Sequence, residues 1–364
     1  MIIATFKIIG GNILLTSQTK LLLFFIPFNR DFIINLIAVT RKNIVVRFGC
    51  YIYQEGLEYN EIKDIVIECE RLGFYSVWLK DNFIPWTRSY ILGQKETNNQ
   101  NQREPMLECW TTLSSLASIT KRIRLGAILV NTYRSPSILA KMLSTLDIIS
   151  NGRIEFGLSA GWYQREFSSY GFSFPKGSVR VEMLEENIKI IKKMLTESCP
   201  SFKGKYYSIE NAICNPKPIQ KPHPPIWIGG GGKKTLELVA KHANAWNYGL
   251  CSYKEYLEKL SYLEHYCKIN NRNYEELIKG WQGVILLGKY KEELKNKMTK
   301  NVLTEEVWKS SDLLILGTPE KILKEISMYI DIGVRYFIIH FPDLPDIRSL
   351  DLFAKHIIQH YCTL

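Results

Sequence analysis

From Val45 onward the chain keeps returning to one short grammar, an apolar β-branched or aromatic run followed by an amphipathic helical stretch. The first copy is complete. Val45-Val46-Arg47-Phe48-Gly49-Cys50-Tyr51-Ile52-Tyr53 reads as a strand, and Ile62, Ile65, Val66, Cys69 and Leu72 then recur at helical spacing up to Gly73. Further strands are expected at 75–79, 123–130, 153–158, 225–228, 244–247, 280–287 and 334–340. Helices are expected at 106–119, 137–149, 180–195, 234–242, 253–270, near Glu292 and at 347–361. About eight strands alternating with helices is the count that closes a parallel barrel, so the fold class is α/β, a TIM-type (β/α)8 barrel. A doubly wound open sheet is the runner-up.

Two stretches break the rhythm. Residues 82–105 form a polar loop, with Asn98-Asn99-Gln100-Asn101-Gln102, too long for a plain strand-to-helix connection. It leaves the C-terminal end of the second strand, where barrel enzymes keep their active sites, and reads as a lid. Residues 200–224 carry Phe202-Lys203-Gly204-Lys205-Tyr206-Tyr207 and a proline-punctuated tail, which predicts a small hairpin packed over the barrel. Residues 1–44 are read as an N-terminal extension outside the fold, and 45–364 as a single barrel domain. Their apolar runs, such as 21–28 and 32–39, are each shorter than the roughly 20 residues that cross a bilayer, so no stable membrane insertion is expected. No small-residue cleavage site follows them either.

Charge and cysteine usage narrow the function. The net charge is +11, but residues 1–47 hold six basic residues against Asp31 alone, and no helix carries a basic stripe with interleaved aromatics. Nucleic acid is therefore not the expected partner. The eight cysteines form no Cys-x-x-Cys pair and the six histidines no His-Glu-x-x-His, so neither a metal site nor a disulfide framework is expected. Scattered single cysteines suit a reduced, cytoplasmic protein.

Two strand ends could receive a ligand. Gly152-Arg153-Ile154-Glu155-Phe156-Gly157-Leu158-Ser159-Ala160-Gly161-Trp162-Tyr163 runs from a strand into small residues, which let a planar ring approach the backbone, and then into an aromatic wall. Ile226-Trp227-Ile228-Gly229-Gly230-Gly231-Gly232-Lys233-Lys234 runs from a strand through four glycines into a helix N-terminus, where bare N–H groups can hold a phosphate. The spacing is not that of a Walker loop. Asp81 after the second strand and His340 at the end of the last one occupy positions where a barrel keeps catalytic groups. Asn131 and Thr132 after the third strand face the mouth in the same way.

Read together, several stretches resemble the luciferase-like monooxygenase superfamily, and within it the coenzyme F420 branch. They are Ser76-Val77-Trp78-Leu79-Lys80-Asp81-Asn82-Phe83, Glu104 to Thr112, Lys121 to Gly126, Tyr133-Arg134-Ser135-Pro136, Leu139-Ala140-Lys141, Thr145-Leu146-Asp147, Gly161-Trp162 through Glu166, and Pro224 to Gly232. The likeness runs from about Phe48 to Asn247. It implies a bacterial luciferase-like barrel with insertions that binds coenzyme F420, or alternatively FMN, and exchanges hydride with a small organic substrate. By this resemblance Gly229, Gly230, Gly231 and Gly232 would cradle the cofactor phosphate. Asn131, Ser159, Ala160, Gly161, Trp162 and Asn247 would line the cofactor's site, with Asp81 and Asn82 near the reacting ring. A non-proline cis peptide is implied near Ile128-Leu129. Two departures follow. Asn82 stands where many members have histidine, so proton transfer cannot be carried over to it, and His340 is the candidate donor instead. Trp162 fills the place of the sugar-phosphate dehydrogenase branch's glutamate acid, so that specific activity is not expected. The alternatives are an FMNH2-dependent monooxygenase using O2 and a non-catalytic flavin-binding protein. A homodimer is a further expectation.

Overall fold

The computed structural model describes residues 7–9, 12–14, 45–85, 104–300 and 314–362. Most of the expected lid, 86–103, lies outside them, as does nearly all of the N-terminal extension, of which only a two-stranded antiparallel ribbon, Lys7–Ile9 with Asn12–Leu14, is described.

Eight parallel strands close on themselves. They are β1 (Arg47–Ile52), β2 (Ser76–Lys80), β3 (Arg124–Val130), β4 (Ile154–Ser159), β5 (Ile226–Gly229), β6 (Ala245–Gly249), β7 (Ile278–Leu287) and β8 (Val334–His340). The hydrogen-bonded order is β6-β5-β4-β3-β2-β1-β8-β7, and β7 pairs back to β6. This is the barrel the strand count predicts, not the open sheet. The helices between strands are α1 (Tyr59–Leu72), α2 (Cys109–Ile119), α3 (Pro136–Ile149), α4 (Gln164–Ser169), α5 (Gly177–Thr196), α6 (Lys233–His242), α7 (Tyr253–Ile269), α8 (Lys291–Lys300) and α9 (Pro319–Asp331), with α10 (Arg348–Phe353) after β8.

Local chemistry explains where these elements begin and end. In α1, Glu58 and Glu61 cap each other's backbone N–H, and Gly73 closes the helix at φ 84, a conformation that favours glycine. The face carrying Ile62, Ile65, Val66 and Cys69 is buried against the sheet. The insertion between α5 and β5 holds a hairpin of two-residue strands, Phe202–Lys203 and Ser208–Ile209. A short strand, Leu314–Gly317, adds to the outer edge of β7, and neither it nor α9 follows from the sequence reading, although Thr318-Pro319 is a helix-start signal.

An aromatic plug fills the barrel. Trp78, Trp227 and Tyr336 point inward from β2, β5 and β8, with ring centroids 4.7–6.0 Å apart and edge-to-face geometry. Their polar ends are satisfied inside: Trp78 Nε1 and the Tyr336 hydroxyl both donate to Ser76 Oγ, and Trp227 Nε1 donates to Glu155. Such bulk fits only because glycines face it. A Cβ on Gly126 would lie 2.5 Å from Trp78, and one on Gly280 2.7 Å from Trp227. The barrel is therefore solid through its middle, and the ligand space opens above the plug at the C-terminal strand ends.

The non-proline cis bond expected near Ile128-Leu129 is a correction. Among the described residues the cis peptides are Asn215-Pro216, Lys221-Pro222 and Leu344-Pro345. The β3 backbone stays in regular ladder with β2 through Ile128 and with β4 through Val130, which suits ordinary trans geometry.

Candidate active site

A cavity of about 490 Å3 lies at the C-terminal ends of β1 to β7. Of the residues singled out from the sequence, Asp81, Asn82, Ser159, Ala160, Gly161, Trp162, Gly229 to Gly232 and Asn247 line it together. Asn131 and His340 do not. Asn131 is fully buried behind the wall, where its carbonyl accepts from Asn187 on α5 and its amide, correctly turned, donates to the Ser159 carbonyl. It braces the cavity rather than facing it.

The glycine turn is built by its neighbours. Gly230 sits at φ 124, its N–H donates to the Asn247 carbonyl at 3.1 Å, and its carbonyl accepts from Trp246 Nε1 at 2.8 Å. A Cβ on Gly231 would come within 2.5 Å of the Tyr248 ring. Gly232 is the N-cap residue of α6, so the helix's first unpaired N–H groups and its positive dipole end sit at the cavity wall. Beside the turn, Asn247 is 5% exposed, its Nδ2 donates to Gln282 at 2.6 Å, and its Oδ1 has no partner among the described residues. A cradle that a single methyl would fill, next to an orphaned acceptor, fits an anionic cofactor bearing N–H groups.

Charge near the mouth is tied up in pairs. Asp81 Oδ1 and Oδ2 take a fork of two bonds from Arg134 at 2.8 and 2.9 Å, and Oδ2 also accepts the Val130 N–H at 2.8 Å. Burial still pushes the Asp81 carboxyl up to about 6, against the pull of Arg134 and Val130. Arg134 also meets Glu108, the N-cap of α2. Asp81 is thus fixed in place, with its lone pairs committed. Asn82 donates to both oxygens of Glu166 at 2.8 and 3.0 Å, and the Phe83 N–H adds a third bond. Burial raises the Glu166 carboxyl, and these donors hold it down. At the position where the resemblance implies histidine, the amide locks the loop after β2 onto α4.

His340 is half-buried, stacked on Tyr53 at 3.7 Å between centroids, with Nδ1 3.1 Å from the Tyr51 carbonyl. Burial drives its pKa down to about 4, so the ring is neutral at physiological pH. As the expected proton donor it therefore lacks both a proton to spare and a place on the cavity wall. Trp162 stands at the rim, 53% exposed and stacked on Tyr163 at 5.3 Å.

Sequence reasoning missed Tyr51, Tyr248, Leu250 and Gln282 as wall residues and Arg134 and Glu166 as anchors. Tyr51 had a signal, being inward-phased on a strand end; the others depend on contacts that only closure of the barrel creates. Among the described residues no group of His, Cys, Asp and Glu could hold a metal ion, and no helix is long and apolar enough to cross a membrane.

Comparison with known proteins agrees with this geometry. The chain is 24% identical over 348 residues to an F420-dependent glucose-6-phosphate dehydrogenase of Amycolatopsis mediterranei (strain U-32), covering 84% of this chain and 96% of that one. An FMNH(2)-dependent dimethylsulfone monooxygenase of Pseudomonas putida is 30% identical over 141 residues, which is 39% of this chain and 38% of that one. Among solved structures, an F420-dependent secondary alcohol dehydrogenase superposes with a TM-score of 0.73 at 17% identity, over 86% of this chain and 99% of that one. A long-chain alkane monooxygenase gives 0.73 at 16% identity, over 88% and 91%. These likenesses establish the shared barrel. The family model described as "Luciferase-like monooxygenase" matches residues 43–268, well over half of the chain, and the protein belongs to that family.

Proposed function

We propose that this protein is an F420-dependent oxidoreductase that exchanges hydride with a small organic substrate. The observation that carries this reading is the glycine turn at the N-terminus of α6, opening into the same cavity as the bare Ser159-Ala160-Gly161 edge of β4. Gly229 to Gly232 would hold the cofactor phosphate on backbone N–H groups, and Asn247 Oδ1 would accept from a ring N–H. Ala160 and Gly161 leave room for the ring. When bound, the deazaflavin supplies a carbon that gives or accepts hydride. The chain's own work is to position the reactants, exclude water, and keep Asp81 and Glu166 locked so that no loose carboxylate faces a developing negative charge. Relatives with full-length matches bear F420-dependent names, which supports this choice of cofactor. The shorter FMNH(2)-dependent match keeps an oxygen-using flavin reading as the alternative. A cytoplasmic setting and a homodimer belong to the same proposal.

Titration of the purified protein with F420 and with FMN, followed by quenching of cofactor fluorescence, tests the choice. F420 is expected to bind at least tenfold tighter. Tighter FMN binding, with oxygen uptake on reduction, would replace this reading by a monooxygenase. Trp162 argues against a sugar phosphate as substrate, since an exposed indole offers no acid and no cation.

A further inference from the structure

Tyr51 lies on the cavity wall, and its side chain has no role in anything described above. Along β1, Phe48, Cys50 and Ile52 join the core under the helices, while Tyr51 and Tyr53 join the inward aromatic set with Trp78, Trp227 and Tyr336. Tyr51 is the member of that set that reaches the cavity. A rigid frame stands behind it. Its ring meets Tyr53 edge-on at 4.9 Å, and its carbonyl accepts from His340. Tyr53 itself stacks on the His340 ring and meets the Lys80 ammonium, 4.8 Å from its centroid. Lys80 in turn is buried and ion-paired with Glu55.

The Tyr51 hydroxyl makes no hydrogen bond to any described residue and is not sealed in the interior: the side chain, 9% exposed, opens onto the cavity. A phenol that faces a ligand space with its O–H uncommitted can donate to what binds there. Burial, reinforced by Tyr53, Cys109, Asp81 and Glu55, raises its pKa, so the group keeps its proton and acts as a donor, not as a base. We propose that Tyr51 donates this hydrogen bond to the reacting oxygen of the organic substrate, and that the substrate is an uncharged alcohol or carbonyl compound. The inference rests on the hydride-transfer reading above.

The surrounding wall agrees. Ile128, Val130, Trp162 and Leu250 present apolar surface, and among the described wall residues there is no lysine, arginine or histidine. The single carboxylate on it, Asp81, is closed off by Arg134. Leu250 sits at φ 51, a left-handed conformation that a leucine seldom adopts, with its N–H held by the Gln282 carbonyl at 3.0 Å. Strain of this kind marks a side chain held in place at a ligand site. In alcohol oxidation the carbinol C–H leaves as hydride, with both electrons, to the oxidised cofactor. The hydroxyl proton goes to solvent and the C=O bond forms. In the reverse direction the electron pair moves onto oxygen, and the Tyr51 O–H stabilises that charge until solvent protonates it. The bond is strongest when the oxygen is most negative, so its weight falls on kcat more than on binding.

Tyr51→Phe tests this directly, because it removes only a hydroxyl that no described residue uses. Three quantities are measured for both proteins: F420 affinity by fluorescence, saturable response of the F420 complex to a panel of alcohols and ketones of three to eight carbons, and kcat. Expected are F420 affinity unchanged within twofold, ketone or alcohol affinity lower by about three- to tenfold, and kcat lower by about 10²–10³-fold. Two results overturn the proposal: kcat and binding unchanged in Tyr51→Phe, or saturation by glucose 6-phosphate with no response to any alcohol or ketone. Failure of the wild-type protein to bind F420 would instead remove the underlying reading, and this inference with it.

Discussion

Replacing Arg134 by Met should produce a stability loss whose size depends on pH in a calculable way. The guanidinium gives two bonds to Asp81, whose side chain is 1% exposed, and is itself 11% exposed. Removing one partner of such a pair leaves a buried charge, at a cost of about 3–5 kcal/mol. The carboxyl can escape part of that cost by taking a proton. It already titrates near 6 with Arg134 present, and without it the value climbs further. A group whose folded pKa lies above its unfolded one favours the folded state in acid and loses that contribution as pH rises through the folded pKa. At pH 5 Asp81 is therefore largely protonated in both proteins, and the two differ mainly by lost packing and by the weaker Glu108 contact. Above pH 6 the wild-type carboxyl ionises at little cost while the variant's resists. The difference then grows by up to about 1.4 kcal/mol per pH unit until the variant's own pKa is passed. Urea unfolding followed by tryptophan fluorescence at pH 5.0, 6.5 and 8.0 reads this out. The expected excess loss at pH 8 over pH 5 is about 2–3 kcal/mol. Adding Asp81→Asn to the Met variant should return most of it, since the uncompensated charge is then gone. A loss that is the same at all three pH values, or below about 1 kcal/mol at pH 8, would refute the account of a buried, guanidinium-dependent carboxylate.

Two further outcomes follow from the interior of the barrel. Gly126→Ala places a methyl against the Trp78 indole, 2.5 Å away, and should lower stability by about 1–3 kcal/mol in the same urea experiment, partly relieved by Trp78→Phe; an unchanged midpoint would mean the plug is looser than its packing indicates. His340, with its pKa depressed to about 4, contributes stability that is present above the unfolded value near 6.5 and is lost as pH falls toward 4. His340→Gln should therefore lose less stability than wild type between pH 7 and 4.5, by roughly 2–3 kcal/mol, and parallel curves for the two proteins would count against a neutral buried imidazole.

The sequence and the structure agree where the information is local, and part where it is not. Strand-helix alternation is local, so the barrel follows from it, and so does the glycine stop at Gly73. The glycine turn is likewise local, because four residues without side chains limit what can be packed against them whatever the rest of the chain does. Asp81 and Asn82 are a different case. Their position after β2 is legible, yet their chemistry belongs to Arg134 and Glu166, which lie 53 and 84 residues further on and meet them only once β2, β3 and β4 stand side by side. Nothing in the spacing of those residues specifies that Asp81 is bound on both oxygens or that Asn82 serves a buried carboxylate.

The same reasoning explains why His340 packs along the rim and not on the cavity wall. A histidine ending an apolar strand is equally compatible with facing the ligand or packing sideways along the rim, and one rotation of the ring decides between them. Here Tyr53 offers a flat face at 3.7 Å and the Tyr51 carbonyl offers an acceptor, so the imidazole is held sideways and neutral. That arrangement leaves the Tyr51 ring, not His340, as the group from this edge of the barrel that reaches the cavity. With Asp81 locked, the His340 imidazole neutral and off the wall, and wall phenols such as Tyr51 and Tyr133 that keep their protons, the cavity suits chemistry in which the protein stabilises developing charge by hydrogen bonding and leaves proton exchange to solvent.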